Sequence, residues 1–377
     1  MCLIVDVGSL STLPILGAIL KPYDFEIIDC NINRYSEEDV SLVLGEKSAD
    51  IIMIATISAA YASACHRLAE IVKKAKPGSL LIMGGVYVTT CVEHVMEDVN
   101  VDIGWIGHAE DRLAQLVESL LGGDFEAVSV TEGIAYRKNG ELIINPLMHN
   151  VADAKPVKPD YTKTPLLQYV NNNAVVTSIT SESKKRFADI LSSYGCPYNC
   201  IFCASRSISG HRVVTRPAED VLEEIDYLVR EAGIELLNIM DDNILYDRRR
   251  ADHIFGELYR RNYGIEIHID NVAIWHLDRD ILELMKRAGV TRMGISVESG
   301  CERVLHKIIR KPLKLEIVKP IREMARAVGI LMTANFMIGL PGETWDELRE
   351  SLRFAEDCDF DYIVINIATP MPKTDLY

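Results

Sequence analysis

Twice along this 377-residue chain, apolar runs of strand length alternate with segments of helical period, and that alternation restricts the fold more than any other feature. Strands separated by helices pack as parallel βα units, so each half predicts an α/β layer with ligand loops at the carboxyl ends of its strands. In the first half Cys2–Val7, Phe25–Asp29, Ile51–Thr56, Leu80–Met83 and Asp102–Ile106 read as strands of a doubly wound sheet. In the second half a strand before Cys196 is followed by strands at Ile234–Met240, Ile265–Ile269, Arg292–Val297, Ile330–Ile338 and Tyr362–Ile367. The helices between them carry their own signals: Pro217 with Glu219 and Asp220 opens one, Gly233, Gly289 and Gly329 stop three, and Thr344 to Glu347 is a capping box. Six such units are too few for a closed eight-unit barrel and predict a partial (β/α)6 one.

Between the halves, Ile134 to Ile144 reads as a hairpin about Asn139-Gly140, and Pro146, Pro156, Pro159 and Pro165 punctuate a stretch without period. The expected organisation is a first domain over 1–145 closed by the hairpin, a linker over 146–185 draped on a surface, and the partial barrel over 186–377. The 40 basic against 55 acidic residues leave a charge of −15, which weighs against a nucleic-acid partner and against a tRNA-modifying role. Met1 to Val5 has no basic leader and no apolar stretch approaches the ~20 residues of a membrane span, so a cytoplasmic protein is expected.

Three of the nine cysteines fall within eight residues, in Tyr194-Gly195-Cys196-Pro197-Tyr198-Asn199-Cys200-Ile201-Phe202-Cys203. Three thiolates on one loop can hold three irons of a [4Fe–4S] cubane and leave the fourth open. Structural zinc wants four ligands; no second Cys-x2-Cys exists, although His211 could complete a Cys3His set. The other six cysteines read as small buried hydrophobes.

Cys-x3-Cys-x2-Cys with an aromatic before the third cysteine is the signature of the radical S-adenosylmethionine (SAM) superfamily, which this half resembles. The resemblance implies that Cys196, Cys200 and Cys203 bind the cluster, that the open iron chelates the SAM amino and carboxylate groups, and that Phe202 lies beside the adenine. Reduction would then cleave SAM to a 5′-deoxyadenosyl radical. By the same resemblance Asp241 and Asp242 face the SAM amino group, Ser296 and Glu298 approach its ribose or amino acid part, and Gly339 and Gly342 flank the adenine, where Met337 could also lie. Asp241-Asp242-Asn243 replaces the usual Gly-Gly-Glu, and helix capping is the alternative for the two aspartates. Arg310 and Lys311 could neutralise the SAM carboxylate or form a solvated charge cluster.

No Gly-x-Gly-x-x-Gly follows the first strand, which argues against a dinucleotide site. The first half instead resembles the Rossmann-like (flavodoxin-like) cobalamin-binding domain found upstream of some radical SAM barrels. That implies cobalamin contacts from Gly8, Ser9, Thr56, Ser58, Gly84, Gly85, Val86, Thr89, His108 and Glu110. The Asp-x-His-x-x-Gly motif is absent, so a histidine from it is not the lower cobalt ligand; a cofactor-free flavodoxin-like domain is the alternative. His66 and His94 read as ordinary helix histidines. The lack of a tight amino-terminal cysteine group argues against a methylthiotransferase.

Together these resemblances imply a cobalamin-dependent radical SAM enzyme that methylates an unactivated carbon of a small-molecule or natural-product substrate through methylcobalamin. A flavodoxin or ferredoxin type donor would supply the low-potential electron. An oxidative cyclase like the anaerobic magnesium-protoporphyrin monomethyl ester cyclase is the alternative within the superfamily, and a non-catalytic corrin or iron–sulfur sensor is the alternative outside it. The chain stops after the sixth barrel strand, which implies either an open barrel mouth or an incomplete chain.

Overall fold

The structure is a computed structural model and describes residues 2–6, 12–110, 112–147, 156–172 and 185–377. The chain divides into two compact units, Met1–Val175 with Ser207–Gly210, and Val176–Arg206 with His211–Tyr377.

The first unit runs β1 (Cys2–Asp6), α1 (Thr12–Leu20), β2 (Phe25–Asp29), α2 (Glu37–Glu46), β3 (Ile51–Thr56), α3 (Ala62–Ala75), β4 (Leu80–Gly85), α4 (Val86–Glu97), β5 (Ile103–Trp105), α5 (Leu113–Leu121), α6 (Ala127–Val130), β6 (Ile134–Lys138), β7 (Glu141–Ile144) and α7 (Leu166–Asn172). Its sheet has the order β2-β1-β3-β4-β5-β6-β7; the first five strands are parallel and the predicted hairpin adds two antiparallel ones. Ile52 and Ile54 of β3 with Leu81 and Met83 of β4 form the core against α3 and α4. The fourth strand runs two residues beyond the expected Met83, because Gly84 and Gly85 stay in register with Ala55 and Thr56. Only glycine permits this at 85, where φ is +104° and an added Cβ would lie 2.1 Å from the Thr56 carbonyl oxygen.

The described part of the proline-punctuated stretch is packed. Asp160 N donates to Pro14 O at 2.8 Å, the Asp160 carboxylate pairs with Lys21 at 2.8 Å, and α7 buries Leu166, Tyr169 and Val170. A seven-residue helix is too short to show a period in sequence, which is why it reads as linker there.

The second unit runs β8 (Phe187–Ile190), β9 (Ser193–Tyr194), α8 (Ser205–Ser209, its end shared with the first unit), β10 (Val214–Thr215), α9 (Ala218–Arg230), β11 (Leu236–Ile239), α10 (Arg248–Arg261), β12 (Glu266–Val272), α11 (Arg279–Ala288), β13 (Val290–Glu298), α12 (Val318–Val328), β14 (Leu331–Ile338), α13 (Trp345–Cys358) and β15 (Tyr362–Ile367). The six long strands lie side by side in chain order, all parallel, as β8-β11-β12-β13-β14-β15. Asp278 caps α11 through Ile281 N, Gly289 and Gly329 end α11 and α12 in the left-handed region, and Thr344 forms its capping box with Glu347. Strand alternation sends Ile267, Ile269, Met293, Ile295 and Met332 to the helix-covered face and Asp189, Asn238, His268, Arg292 and Thr333 to the inner face. Among the described residues no helix is long and apolar enough to cross a membrane.

Candidate active site

The three cysteines ride on a loop whose base is fixed before the first of them. Asp241, 1% exposed at the end of β11, accepts from Ser192 N at 2.7 Å, from Ser192 Oγ at 2.6 Å and from Ser193 Oγ. Burial raises its carboxyl, against the serine hydrogen bonds. The Arg250 guanidinium donates to Ser192 O at 2.7 Å and to Arg216 O at 2.8 Å, and the buried Arg216–Glu224 pair holds the returning strand β10, which ladders onto β9. Both Asp241 oxygens are thus occupied by the loop base.

Asp242 closes the loop itself. Its Oδ2 accepts from Gly195 N at 2.8 Å, just before Cys196, and from Ser205 Oγ at 2.9 Å, just beyond Cys203. Each hydrogen bond to a carboxylate contributes about 1.5–3 kcal/mol, so Asp242→Ala is expected to speed iron loss to a chelator at least about tenfold. Absorbance decay under anaerobic conditions checks this. Tyr198 fastens the middle of the loop, accepting from Trp275 Nε1 at 2.8 Å and lying 3.1 Å from His276 Nε2. Ile201 N donates to Ile309 O at 3.0 Å and Ile201 O accepts from Leu376 N at 2.9 Å.

The bond to Ile309 brings Lys311 to the cysteines. Lys311 and Glu298 are 8% and 5% exposed and pair at 3.3 Å. Burial pushes all three thiols up, Cys200 to about 11, while the Lys311 charge opposes the rise at each. Asp242 acts on Cys196 and Cys203, and Glu298 on Cys200 and Cys203, so thiols, lysine and both carboxylates share one locale. Among the described residues no group of three or more His, Cys, Asp or Glu converges on a single ion. Thiolates that each bind a different iron need not converge, so three cysteines on one loop remain the donor set of a cluster, and His211 Nε2 already accepts from Arg206 Nε at 2.7 Å.

The remaining residues expected around SAM end the neighbouring strands. Phe202 is half-buried between Ile201 and Cys203. Ser296 Oγ donates to Asn271 Oδ1 at 2.9 Å, and Asn271 Nδ2 donates to Asp242 O at 2.9 Å, which links β13 to the clasp. Glu298 follows a register shift in β13 and has a φ of +72°, a left-handed backbone that turns its carboxylate toward Lys311. Gly339 and Gly342 each have a φ of +80° with open space where a Cβ would stand, and Gly339 N donates to Glu343 Oε2 at 2.9 Å. Met337 is buried on β14.

In the first unit Gly8 and Ser9 lie outside the described residues. Thr56 Oγ1 donates to Gly84 O at 2.7 Å, Ser58 caps a short turn through Ala60 N, and Val86 opens α4. Thr89 Oγ1 donates to Gly85 O at 2.8 Å and accepts from Gly107 N at 2.9 Å, tying the loop after β5 to α4. His108 Nε2 lies 3.2 Å from Ser209 Oγ and its Nδ1 3.6 Å from Glu110. Burial acts to raise the Glu110 carboxyl, yet its contact with His108 holds it below the ordinary value. Short side chains thus crowd the carboxyl ends of β3, β4 and β5, where open α/β sheets take ligands, and that rim fits a broad cofactor.

Sequence reading missed a polar layer inside the barrel. Asn238 Nδ2 donates to Asp189 Oδ1 at 3.1 Å, and burial pushes the carboxyl of Asp189 up to about 7 and that of nearby Asp270 to about 6. An acid held above its unfolded value binds its proton more tightly when folded, so stability is present below about pH 4 and is lost as pH rises toward 7. Asp189→Asn is expected to raise the melting temperature at pH 8, by the equivalent of a few kcal/mol at about 1.4 kcal/mol per pH unit, and to change it little at pH 4. Melting curves at the two pH values decide this.

The radical SAM superfamily model matches residues 190–355, and the B12 binding domain model matches residues 11–117. The chain is 26% identical to cytidylyl-2-hydroxyethylphosphonate methyltransferase of Streptomyces wedmorensis, over 96% of this chain and 76% of that one. It is 28% identical to an uncharacterized methyltransferase of Pyrococcus horikoshii, over 95% and 75%. Against the anaerobic magnesium-protoporphyrin IX monomethyl ester cyclase of Cereibacter sphaeroides the identity is 24%, over 96% of this chain and 58% of the cyclase. The solved radical SAM methyltransferase TsrM of Kitasatospora setae superposes with a TM-score of 0.83 at 16% identity, over 98% of this chain and 74% of that one, a likeness of fold. The chain therefore belongs to the radical SAM superfamily, in the group that carries a B12-binding domain. It is a radical SAM enzyme, and its cofactors are a [4Fe–4S] cluster, SAM and cobalamin.

Proposed function

We propose that this enzyme is a cobalamin-dependent methyltransferase that acts on a carbon of a small-molecule or natural-product substrate, with residues 1–145 holding the corrin, 146–185 connecting and 186–377 carrying the reaction. The observation that carries this is the clasped three-cysteine loop beside a buried Lys311–Glu298 pair, in one chain with a B12-binding domain. Methyltransferases among the relatives support the reaction type. When bound, the cluster and SAM supply an organic radical and the corrin carries the methyl group. Cys196, Cys200 and Cys203 hold three irons, Asp242 keeps the loop ends together, and Phe202 and the Gly339–Gly342 turn receive the adenine. Ser296 and Glu298 face the ribose or amino acid part of SAM. Thr56, Ser58, Gly84, Gly85, Val86, Thr89, His108 and Glu110, with Gly8 and Ser9, receive the corrin. A flavodoxin or ferredoxin supplies electrons.

The test is anaerobic. Cluster- and cobalamin-loaded enzyme, reduced and given SAM and substrate, should form 5′-deoxyadenosine and S-adenosylhomocysteine together, two SAM molecules being used per methylation. Deoxyadenosine without S-adenosylhomocysteine would favour the cyclase reading, and absence of both would leave a binding protein.

A further inference from the structure

Asp189, Asn238 and His268 are direct register partners across β8, β11 and β12, and Asp270 follows on the same inner face. Asp189 and Asn238 stand one residue from the carboxyl ends of β8 and β11, just below the loop base that Asp241 holds, and His268 and Asp270 lie within β12. Barrel layers at this depth are ordinarily filled by branched apolar side chains. Here Asn238 is 0% exposed and Asp189 and His268 are each 7% exposed, yet Asn238 Oδ1, Asp270 Oδ1 and His268 Nδ1 have no hydrogen-bond partner. The Asn238 side chain also hydrogen-bonds the Asp270 carboxyl, and the acceptors left over, Asn238 Oδ1 and Asp270 Oδ1 beside the Asp189 carboxyl, mark a place for a further donor. Arg292, the register partner of His268, is turned over the Tyr362 ring at 4.2 Å.

We infer that this inner face anchors the substrate through a protonated amine or guanidinium group, whose N–H bonds are accepted by Asn238 Oδ1 and Asp270 Oδ1 and whose charge is met by Asp189 and Asp270. The inference rests on the enzyme reading above and adds the chemical class of the substrate. An anion would meet two carboxyls, and an apolar group would leave both acceptors unpaired. The upward displacement of the two carboxyls by burial is the state that a bound cation relieves.

The experiment measures binding to the cofactor-loaded full chain by thermal shift and needs no turnover. The probes are phenethylamine, agmatine and cadaverine, each beside its N-acetylated counterpart, with 3-phenylpropionate as the anion. At pH 8 at least one amine should raise the melting temperature and bind at least tenfold more tightly than its acetylated counterpart. Asp189→Asn and Asp270→Asn, isosteric changes, should each weaken that amine at least tenfold while the far-UV spectrum stays that of the wild type. In the wild type alone, lowering the pH to 5 should weaken the amine by a similar factor, a reading independent of whether the variants fold. No response to any amine, equal binding of the acetylated probes, preference for phenylpropionate, or undiminished amine binding in both variants would overturn the inference. Failure of the enzyme reading shows separately, as absence of 5′-deoxyadenosine from reduced wild type given SAM.

Discussion

Lys311→Met should destabilise the protein by about 3–5 kcal/mol, because it removes one partner of a buried ion pair and leaves the other charge uncompensated. Glu298 is the stranded group: it is 5% exposed, paired with Lys311 at 3.3 Å, and held on a left-handed backbone by the end of β13. The double change Lys311→Met with Glu298→Gln should recover most of the loss, since a neutral pair of similar size carries no buried charge. Anaerobic denaturant curves on the three proteins decide the point, and a double variant as unstable as the single one would refute the pairing argument. The lysine charge also acts on all three cluster thiols. A reduced cluster carries one more negative charge than an oxidised one, so Lys311→Met should lower its midpoint potential by on the order of tens of millivolts. Redox titration followed by EPR reads that shift independently of stability.

Gly85→Ala is expected to have an effect of comparable size in the other unit. Its φ of +104° and ψ of −166° lie where side-chain-bearing residues are strained by about 1–3 kcal/mol. The added Cβ would also stand 2.1 Å from Thr56 O and 2.9 Å from Thr56 N, which are backbone atoms of the neighbouring strand and cannot swing aside. Strands β3 and β4 would have to separate at their carboxyl ends, so the total loss should reach about 4 kcal/mol or more. The Thr56 to Gly84 bond lies at that seam, and cobalamin retained through gel filtration should fall with stability. An alanine variant that melts within about 1 °C of the wild type would show that the seam yields more easily than close packing allows.

Local signals were legible in the sequence. The strands Phe25–Asp29, Ile51–Thr56 and Tyr362–Ile367 fall where the apolar runs place them, and Gly289, Gly329 and the Thr344 box cap their helices as expected, whereas α9 ends at Arg230 with Glu231 as its cap, short of Gly233. The cysteine spacing led to the superfamily that the family model confirms. What stayed hidden depends on register between distant strands. Asp242 reaches Gly195, 47 positions away, and Asn238 meets Asp189 at 49; neither spacing is periodic in the chain. The Lys311 ammonium comes inward because Ile309 bonds to Ile201, a tertiary contact that no local pattern encodes. Asp241, which the resemblance turns toward SAM, instead has both oxygens taken by Ser192 and Ser193, partners that no local pattern announces.

The clasp at Asp242 also bears on how the metal arrives. Because one carboxylate oxygen already joins Gly195 to Ser205, the loop between them is closed by folding, and its closure entropy does not fall on cluster binding. A zinc finger must draw its fold from the metal. This chain draws the loop ends together without the metal, so loss and reinsertion of the cluster are expected to leave the fold intact, which far-UV spectra before and after iron chelation check.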